Sequence, residues 1–196
     1  MSALPKRKYT IEEYIELLKT SEERFEYFDG ELFSMAGGKF AHGVISANVL
    51  IKVGQQLANS TCRAFGPDVG LKVPAAPPFR FPDASVVCGQ PVIQDFHGID
   101  LLVNPVLIVE VLSDSTADYD LGKKFLAYQS IESFREYLAV AQKHSHVMQY
   151  TKEQNGLWVR RDFIGMDSEI QLASLNIPLT LKEIYENVQF PASEEQ

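Results

Sequence analysis

The residues that most constrain the fold form an apolar run, Val106–Leu112, with a single acidic residue inside it, Glu110. A continuous apolar run of this length, rich in β-branched residues, is typical of a central strand covered on both faces. A carboxylate in such a strand is costly unless it is paired or bound to a cation. We therefore expect a binding site where this strand ends, beside the polar run Ser113–Asp120, which can start a helix.

The remaining helix and turn signals are local. Thr10–Glu13 has the capping-box pattern and predicts a helix over Thr10–Lys19. Asp29-Gly30 separates two aromatic-rich runs and predicts a β-hairpin. A mostly apolar stripe at helical spacing predicts a second long helix over Ala41–Asn59, with His42 in its first turn.

The rest of the chain is read mainly as strands, with a short terminal helix over Thr180–Asn187 and a loop over Pro91–Asn104. The predicted strands are Cys62–Phe65, Val69–Val73, Phe79–Val87, Val106–Leu112, Glu136–Gln142, His146–Lys152, Leu157–Phe163 and Glu169–Leu175. A strand–helix–strand crossover over Val106–Val140 favours a central mixed sheet flanked by helices, in an α/β or α+β fold. No linker divides the 196 residues, so we predict a single domain over residues 1–196 with a core from about residue 9 to 188.

Composition narrows the classes of function. The net charge of −8 counts against broad non-specific binding to nucleic acids, although it excludes neither a local basic groove nor a metal site that collects carboxylates. No apolar run approaches the roughly 18 residues that a membrane span needs, and no secretory signal is recognisable, so we expect a cytoplasmic protein without a membrane partner. Cys62 and Cys88 are then expected to be reduced thiols.

Two carboxylates lie on neighbouring predicted strands. Asp83 follows Pro82, and Glu110 comes 27 residues later, so the two can meet if their strands pair. Two carboxylates that meet in this way repel each other unless a cation lies between them. Their oxygens suit Mg²⁺ or Mn²⁺, and the backbone carbonyl of Val111 is a natural further ligand. A nearby lysine would orient the attacking water or activate it.

The arrangement of these acidic residues resembles that of a known protein family. Pro82-Asp83 followed by Glu110 on an apolar strand is similar to the PD-(D/E)XK nuclease signature, and the wider pattern resembles the Uma family (Uma two) of restriction-endonuclease-like proteins. The resemblance runs from about Tyr9 to Val188. Its matching segments are Phe25–Leu32, His42, Pro82–Ala84, Pro105–Ser113, Ser115-Thr116, Asp120–Lys124, Tyr128 and Glu136–Leu138.

One position departs from the nuclease signature, which has lysine two residues after the second acid. Here that position is Leu112. The Uma-like pattern supplies the lysine from the following helix, where Lys124 fits, with Lys123 as the alternative. Asp120, Lys124 and Tyr128 are spaced by four residues and so share one helical face.

The resemblance implies a restriction-endonuclease-like fold and a metal-dependent endonuclease acting on DNA. Asp83 and Glu110 would bind Mg²⁺ or Mn²⁺ with the Val111 carbonyl. Lys124 would position the water or stabilise charge on the phosphate. Glu26 would complete the metal shell or orient the water, and His42 would contact phosphate or act as a base behind the ligands. A homodimer is expected of a nuclease that cuts both strands.

Two other functions remain open from the sequence. A catalytically degenerate binding or assembly module with the same fold is favoured by Leu112 in the lysine position and by the net charge. A metal-dependent hydrolase of small nucleotides is favoured by the acidic composition, because an acidic surface suits a small ligand better than a duplex.

Overall fold

The computed structural model describes residues 7–35 and 39–191, which form a mixed α+β fold. Its strands are β1 (Phe25–Phe28), β2 (Glu31–Ser34), β3 (Cys62–Phe65), β4 (Gly70–Leu71), β5 (Ala84–Cys88), β6 (Ile93–Phe96), β7 (Ile99–Leu102), β8 (Leu107–Leu112), β9 (Glu136–Ala141), β10 (His146–Lys152), β11 (Trp158–Ile164), β12 (Glu169–Leu172) and β13 (Ile177–Thr180). Its helices are α1 (Ile11–Thr20), α2 (Phe40–Gln56), α3 (Ala117–Tyr119), α4 (Phe125–Tyr128) and α5 (Leu181–Ile184). A π-helical turn, Asp120–Lys124, joins α3 to α4.

The centre of the fold is a six-stranded mixed sheet with the order β11-β10-β9-β8-β5-β3. The neighbours β8 and β9 are parallel, and every other pair in this sheet is antiparallel. The predicted crossover is confirmed, because the helical segment from α3 to α4 connects the two parallel strands. The expected central mixed sheet flanked by helices is therefore the observed architecture.

The two faces of β8 pack against different helices. Val109 and Val111 share a hydrophobic cluster with α2, to which that helix contributes Ile45, Val49 and Val53. Alternate residues of β8 point to the opposite face, where α4 packs. All six residues of β8 are buried, including Glu110, so the acid lies against the segment that runs from α3 to α4.

Local signals placed the N-terminal elements correctly. Thr10 caps α1 in a capping box with Glu13, which satisfies backbone N–H groups at both positions. The predicted hairpin is β1 and β2, which turn at Asp29 and Gly30 with φ of 45° and 86°. Positive φ at both central residues is the geometry that Asp-Gly favours.

The prediction of a loop over Pro91–Asn104 was wrong. This segment contains β6 and β7, a hairpin that turns at His97 and Gly98 and joins β4 in a three-stranded sheet. The strands are short, and their pairing partner β4 is distant in sequence, so the local pattern carried little signal. The sheet brings Leu101 against Phe79 and Phe81 in a cluster that also contains residues of α1.

The prediction that Cys62 and Cys88 are reduced thiols was also wrong, because the structure joins them in a disulfide. Antiparallel pairing of β3 with β5 sets the two cysteines directly opposite each other. Their separation of 26 residues in the sequence hides this register.

In the described part of the chain, none of the helices combines the length and the apolar character that crossing a bilayer requires.

Candidate active site

A cleft of about 1140 Å³ opens beside the C-terminal end of β8. The β1–β2 hairpin, the start of α2, the end of β8 and the segment from α3 to the π-turn each contribute to its walls. All the residues predicted for the site line this cleft, namely Glu26, His42, Asp83, Glu110, Val111 and Lys124.

Glu110 is fixed by two donors that share one of its carboxylate oxygens. The hydroxyl of Tyr128 donates to Oε1 at 2.7 Å, and Nζ of Lys124 lies 2.9 Å from the same atom. Both donors come from the helical segment that covers this face of the sheet. Their shared contact leaves the second oxygen of Glu110 without either donor, so that oxygen is available to a ligand in the cleft.

Asp83, which directly precedes β5, reaches the part of the cleft that contains Glu110. Ala84 pairs with Val109 in the antiparallel register of β5 and β8, so the next residues along, Asp83 and Glu110, face each other. The backbone N–H of Val111 donates to Oδ2 of Asp83 at 2.7 Å, which fixes the carboxylate against the edge of β8. The predicted convergence of the two acids depends on this strand pairing.

His42 approaches Asp83 from the first turn of α2. Its Nε2 lies 3.4 Å from Oδ1 of Asp83. The hydrogen bond to that carboxylate raises the pKa of His42, although partial burial acts in the opposite direction, and a hydrogen bond with the Val111 backbone adds to the rise. His42 therefore contacts one of the two predicted metal ligands.

Lys124 lies among three carboxylates. Besides the contact with Glu110, its Nζ lies 3.5 Å from Oε1 of Glu26 and 3.6 Å from Oδ1 of Asp120. Burial would lower the pKa of Lys124, yet attraction to the three carboxylates raises it well above its usual range, so the amine keeps its proton. Lys123 is exposed and lies over the ring of Phe28, 5.4 Å from its centroid, so Lys124 is the lysine that meets the acids.

The π-turn positions Asp120 and Lys124 together. Both are buried, and both belong to its five residues. A π-turn is rare and is often found at functional sites, because its extra residue redirects the side chains of a helix. Here Asp120 joins the site, and burial raises the pKa of its carboxyl group.

The environment of Glu110 is costly for a negative charge. Burial raises the pKa of Glu110 well above its usual range, and the carboxylates of Asp120 and Asp83 add to the rise, while Lys124 opposes it. A perturbed carboxyl group in a cleft, with specific charged neighbours, is typical of functional sites.

Arg80 is a member of the site that the sequence did not single out. It is 2% exposed, and its Nε lies 3.8 Å from Oε1 of Glu26. The same Nε donates to the hydroxyl of Tyr119 at 3.2 Å. Glu26 is thus held between Arg80 and Lys124, yet its Oε1 is buried and has no hydrogen-bond partner among the described residues.

The donor set fits a divalent cation. Among the described residues, the ion pairs of Glu26, Glu110 and Asp120 are with Lys124 and Arg80, and that of Asp83 is with His42, so a negative excess remains when all four carboxylates are ionised. Within residues 7–35 and 39–191, no group of three or more His, Cys, Asp or Glu side chains is placed to hold a metal ion. Mg²⁺ does not need three such ligands, since it is usually bound by one or two carboxylates together with waters and substrate phosphate.

Sequence reasoning missed two side chains of this site, those of Arg80 and Tyr119, and gave no role to Asp120 or Tyr128. The spacing of Asp120 and Tyr128 from Lys124 was a usable signal, because all three share one face of the helical segment. Arg80 and Tyr119 carried no such signal, since their contact joins segments 39 residues apart.

Comparison with known proteins places the chain among nuclease-like proteins. The Uma2 family model, described as "Putative restriction endonuclease", matches residues 11–182. An uncharacterized protein of Synechocystis sp. is 30% identical over 95% of this chain and 96% of its own length. A second uncharacterized protein of the same organism is 27% identical over 86% of this chain and 94% of its own length.

A solved structure shares the fold. The crystal structure of a protein from Anabaena variabilis, described as a putative nuclease belonging to DUF820, superposes with a TM-score of 0.71 at 17% identity. The match covers 90% of this chain and 97% of the other.

Proposed function

Because the chain belongs to the Uma2 family, we propose that it is a metal-dependent endonuclease that hydrolyses phosphodiester bonds in DNA. The observation that carries the proposal is the convergence of Asp83, Glu110 and Lys124 in one cleft. Two facing carboxylates can hold a divalent cation, and a protonated lysine beside them can stabilise charge on a phosphate.

In this proposal Asp83 and Glu110 would hold Mg²⁺ or Mn²⁺ together with the carbonyl of Val111. The bound cation would acidify a water and stabilise the negative charge that develops on the phosphate. Tyr128 orients the Glu110 carboxylate through Oε1. His42 orients Asp83 from the start of α2. It would contact the phosphate of the strand or act as a base behind the ligands.

Lys124 takes the position of the lysine that Leu112 displaces from β8. Its ammonium group, protonated within the carboxylate cluster, orients the attacking water and balances charge on the phosphate. Glu26 holds Lys124 in place from the β1–β2 hairpin.

The decisive experiment compares the purified wild-type chain with Lys124→Met and Lys123→Met on plasmid, single-stranded and branched DNA, with Mg²⁺ or Mn²⁺. We expect the wild type and Lys123→Met to cut, and Lys124→Met to lose at least about 100-fold in rate, the typical size of a lost charge-stabilising donor. Asp83→Asn should abolish both cutting and Mn²⁺ binding.

Wild-type protein that binds Mn²⁺ yet cuts none of these substrates would contradict the enzymatic proposal and support the degenerate binding module. Equal losses in Lys123→Met and Lys124→Met would show that the lysine is assigned wrongly.

The acidity of the cleft favours a second candidate, a metal-dependent hydrolase of small nucleotides. Eight acidic side chains line the cleft, compared with three lysines and arginines in total. This excess of negative charge disfavours the binding of a DNA duplex. A panel of nucleoside triphosphates and cyclic nucleotides, assayed beside DNA with the same metal, separates the two substrates. Turnover of nucleotides without cutting of DNA would favour this candidate.

A further inference from the structure

Strand β11 forms an open edge of the central sheet. It pairs with β10 on one side over all seven of its residues and ends the strand order on the other. In the portion of the chain that the structure describes, no strand and no backbone hydrogen bond covers its outer side. The carbonyl of Ile164 accepts a hydrogen bond from the Ser168 hydroxyl at 2.7 Å, and the remaining N–H and C=O groups of this edge are a template for another strand.

The ends of this edge are unusually apolar for a surface. Ile164 is 70% exposed and Leu157 is 65% exposed, while Val159 and Met166 are also exposed. Natural edge strands are usually protected by their short length, by a helix or loop that covers them, or by charged side chains. Here charge is confined to the centre of the strand, Arg160 to Asp162.

The charges at the centre are complementary to a second copy of the same strand. Within one copy Arg160 already donates to both carboxylate oxygens of Asp162, at 2.8 and 2.7 Å. In an antiparallel pair related by a two-fold axis at Arg161, Arg160 of each copy would also face Asp162 of the other. Opposite charges in directly facing positions stabilise a strand pair. The two Arg161 side chains face each other at the axis, but Nη1 of Arg161 is directed inward to Oγ1 of Thr151 at 3.4 Å, which draws the charge away from the axis.

The same register pairs the apolar ends. Trp158 of each copy faces Ile164 of the other, and Val159 faces Phe163. Leu157 of each copy faces Gly165 of the other and lies diagonal to its Phe163. Aromatic residues paired with β-branched residues across strands are a stabilising combination. One register therefore satisfies both the charges and the exposed apolar side chains.

We propose that the chain forms a two-fold dimer in which β11 pairs antiparallel with β11 of a second copy, in the register centred on Arg161. The interface uses the same surface on both subunits, as a closed two-fold dimer requires. None of the residues of β11 lines the cleft, so this assembly leaves the candidate active site open and does not depend on its chemistry.

The register predicts a specific cross-link. In Arg161→Cys the two introduced thiols face each other with Cβ atoms about 5 Å apart, within reach of a disulfide after slight adjustment. In the matched variant Val159→Cys the two thiols are four residues apart along the strand, roughly 14 Å, and cannot join. The native cysteines are already paired with each other, so the wild type serves as the background.

After mild oxidation of the full chain, we expect Arg161→Cys to run mainly as a dimer on a non-reducing gel, while Val159→Cys and the wild type run as monomers. Equal cross-linking of both variants, or none in either, would overturn the proposed register.

Charge reversal gives an independent measurement by light scattering on a size-exclusion column. We expect a dimer for the wild type and a monomer for Asp162→Arg, since six arginines, three from each copy, would then meet at the interface. The double variant Arg160→Asp with Asp162→Arg restores the opposite pairs and should restore the dimer. A monomeric wild type at micromolar concentration, or a dimer that persists in Asp162→Arg, would overturn the proposal.

Discussion

Glu110 is a buried acid whose orientation in the cleft is set by two contacts. The residue is 4% exposed, and both of its donors, Tyr128 and Lys124, contact Oε1. Two donors on one atom fix the plane of the carboxylate, so the other oxygen keeps a constant direction in the cleft. Groups that orient a ligand in this way commonly determine metal affinity as much as the ligand does.

We expect Tyr128→Phe to weaken Mn²⁺ binding about tenfold, because the hydroxyl that orients Glu110 is lost while the ring packing is kept. Isothermal titration calorimetry measures the affinity, and circular dichroism checks the fold. Tyr185→Phe is the matched control, since its hydroxyl donates to the backbone at Ala141 and His146 instead of a side chain of the site. An unchanged affinity in Tyr128→Phe would argue against the orienting role.

At the scale of secondary-structure elements, backbone conformation limits what each position accepts. Gly54 lies in α2 without a positive φ, and a Cβ placed there would meet no atom within 4 Å. Gly156, in the turn between β10 and β11, has the same open space but a φ of +85°. The two glycines thus differ in conformation while their surroundings are equally empty.

Gly54→Ala should raise the free energy of unfolding by about 0.5–1 kcal/mol, because alanine loses less backbone entropy in a helix. Gly156→Ala should lower it by about 1 kcal/mol, since a side chain is strained at positive φ. Urea unfolding followed by circular dichroism measures both. A shift of the same sign in the two variants would show that space, and not backbone conformation, decides their stability.

At the scale of the whole molecule, the charge of the chain opposes its proposed substrate. The net charge is −8, and acidic side chains outnumber basic ones in the cleft. DNA-binding proteins usually gain affinity from lysine and arginine contacts with phosphate. This chain offers few such contacts at the cleft, so a divalent cation would have to supply the missing positive charge.

We therefore expect DNA binding to require a divalent cation. Fluorescence anisotropy of a labelled oligonucleotide with the Lys124→Met variant, which keeps both metal-binding carboxylates, separates binding from cutting. The dissociation constant should be at least about tenfold lower with Mn²⁺ than with EDTA at matched ionic strength, because repulsion by unneutralised carboxylates returns when the metal is removed. Equal affinity with Mn²⁺ and with EDTA would contradict the expectation that DNA binding requires a divalent cation.

The sequence alone determined the elements whose signals are local. The capping box at Thr10, the Asp29-Gly30 turn and the buried strand around Glu110 each depend on neighbouring residues, so their patterns could be read without a partner. Helical spacing also placed Lys124 on one face with Asp120 and Tyr128. The choice between Lys124 and Lys123 stayed open in the sequence, and the structure places Nζ of Lys124 2.9 Å from Glu110.

Only the tertiary structure decided the contacts between distant segments. It paired Cys62 with Cys88, formed the β6–β7 hairpin against β4 and brought Arg80 to Glu26. Strand register and side-chain packing across the sheet set these contacts, and both depend on residues that are far apart in the sequence. The buried acid in an apolar strand indicated a functional site. The pairing of β5 with β8 and the π-turn after β8 brought the other residues of that site next to the acid.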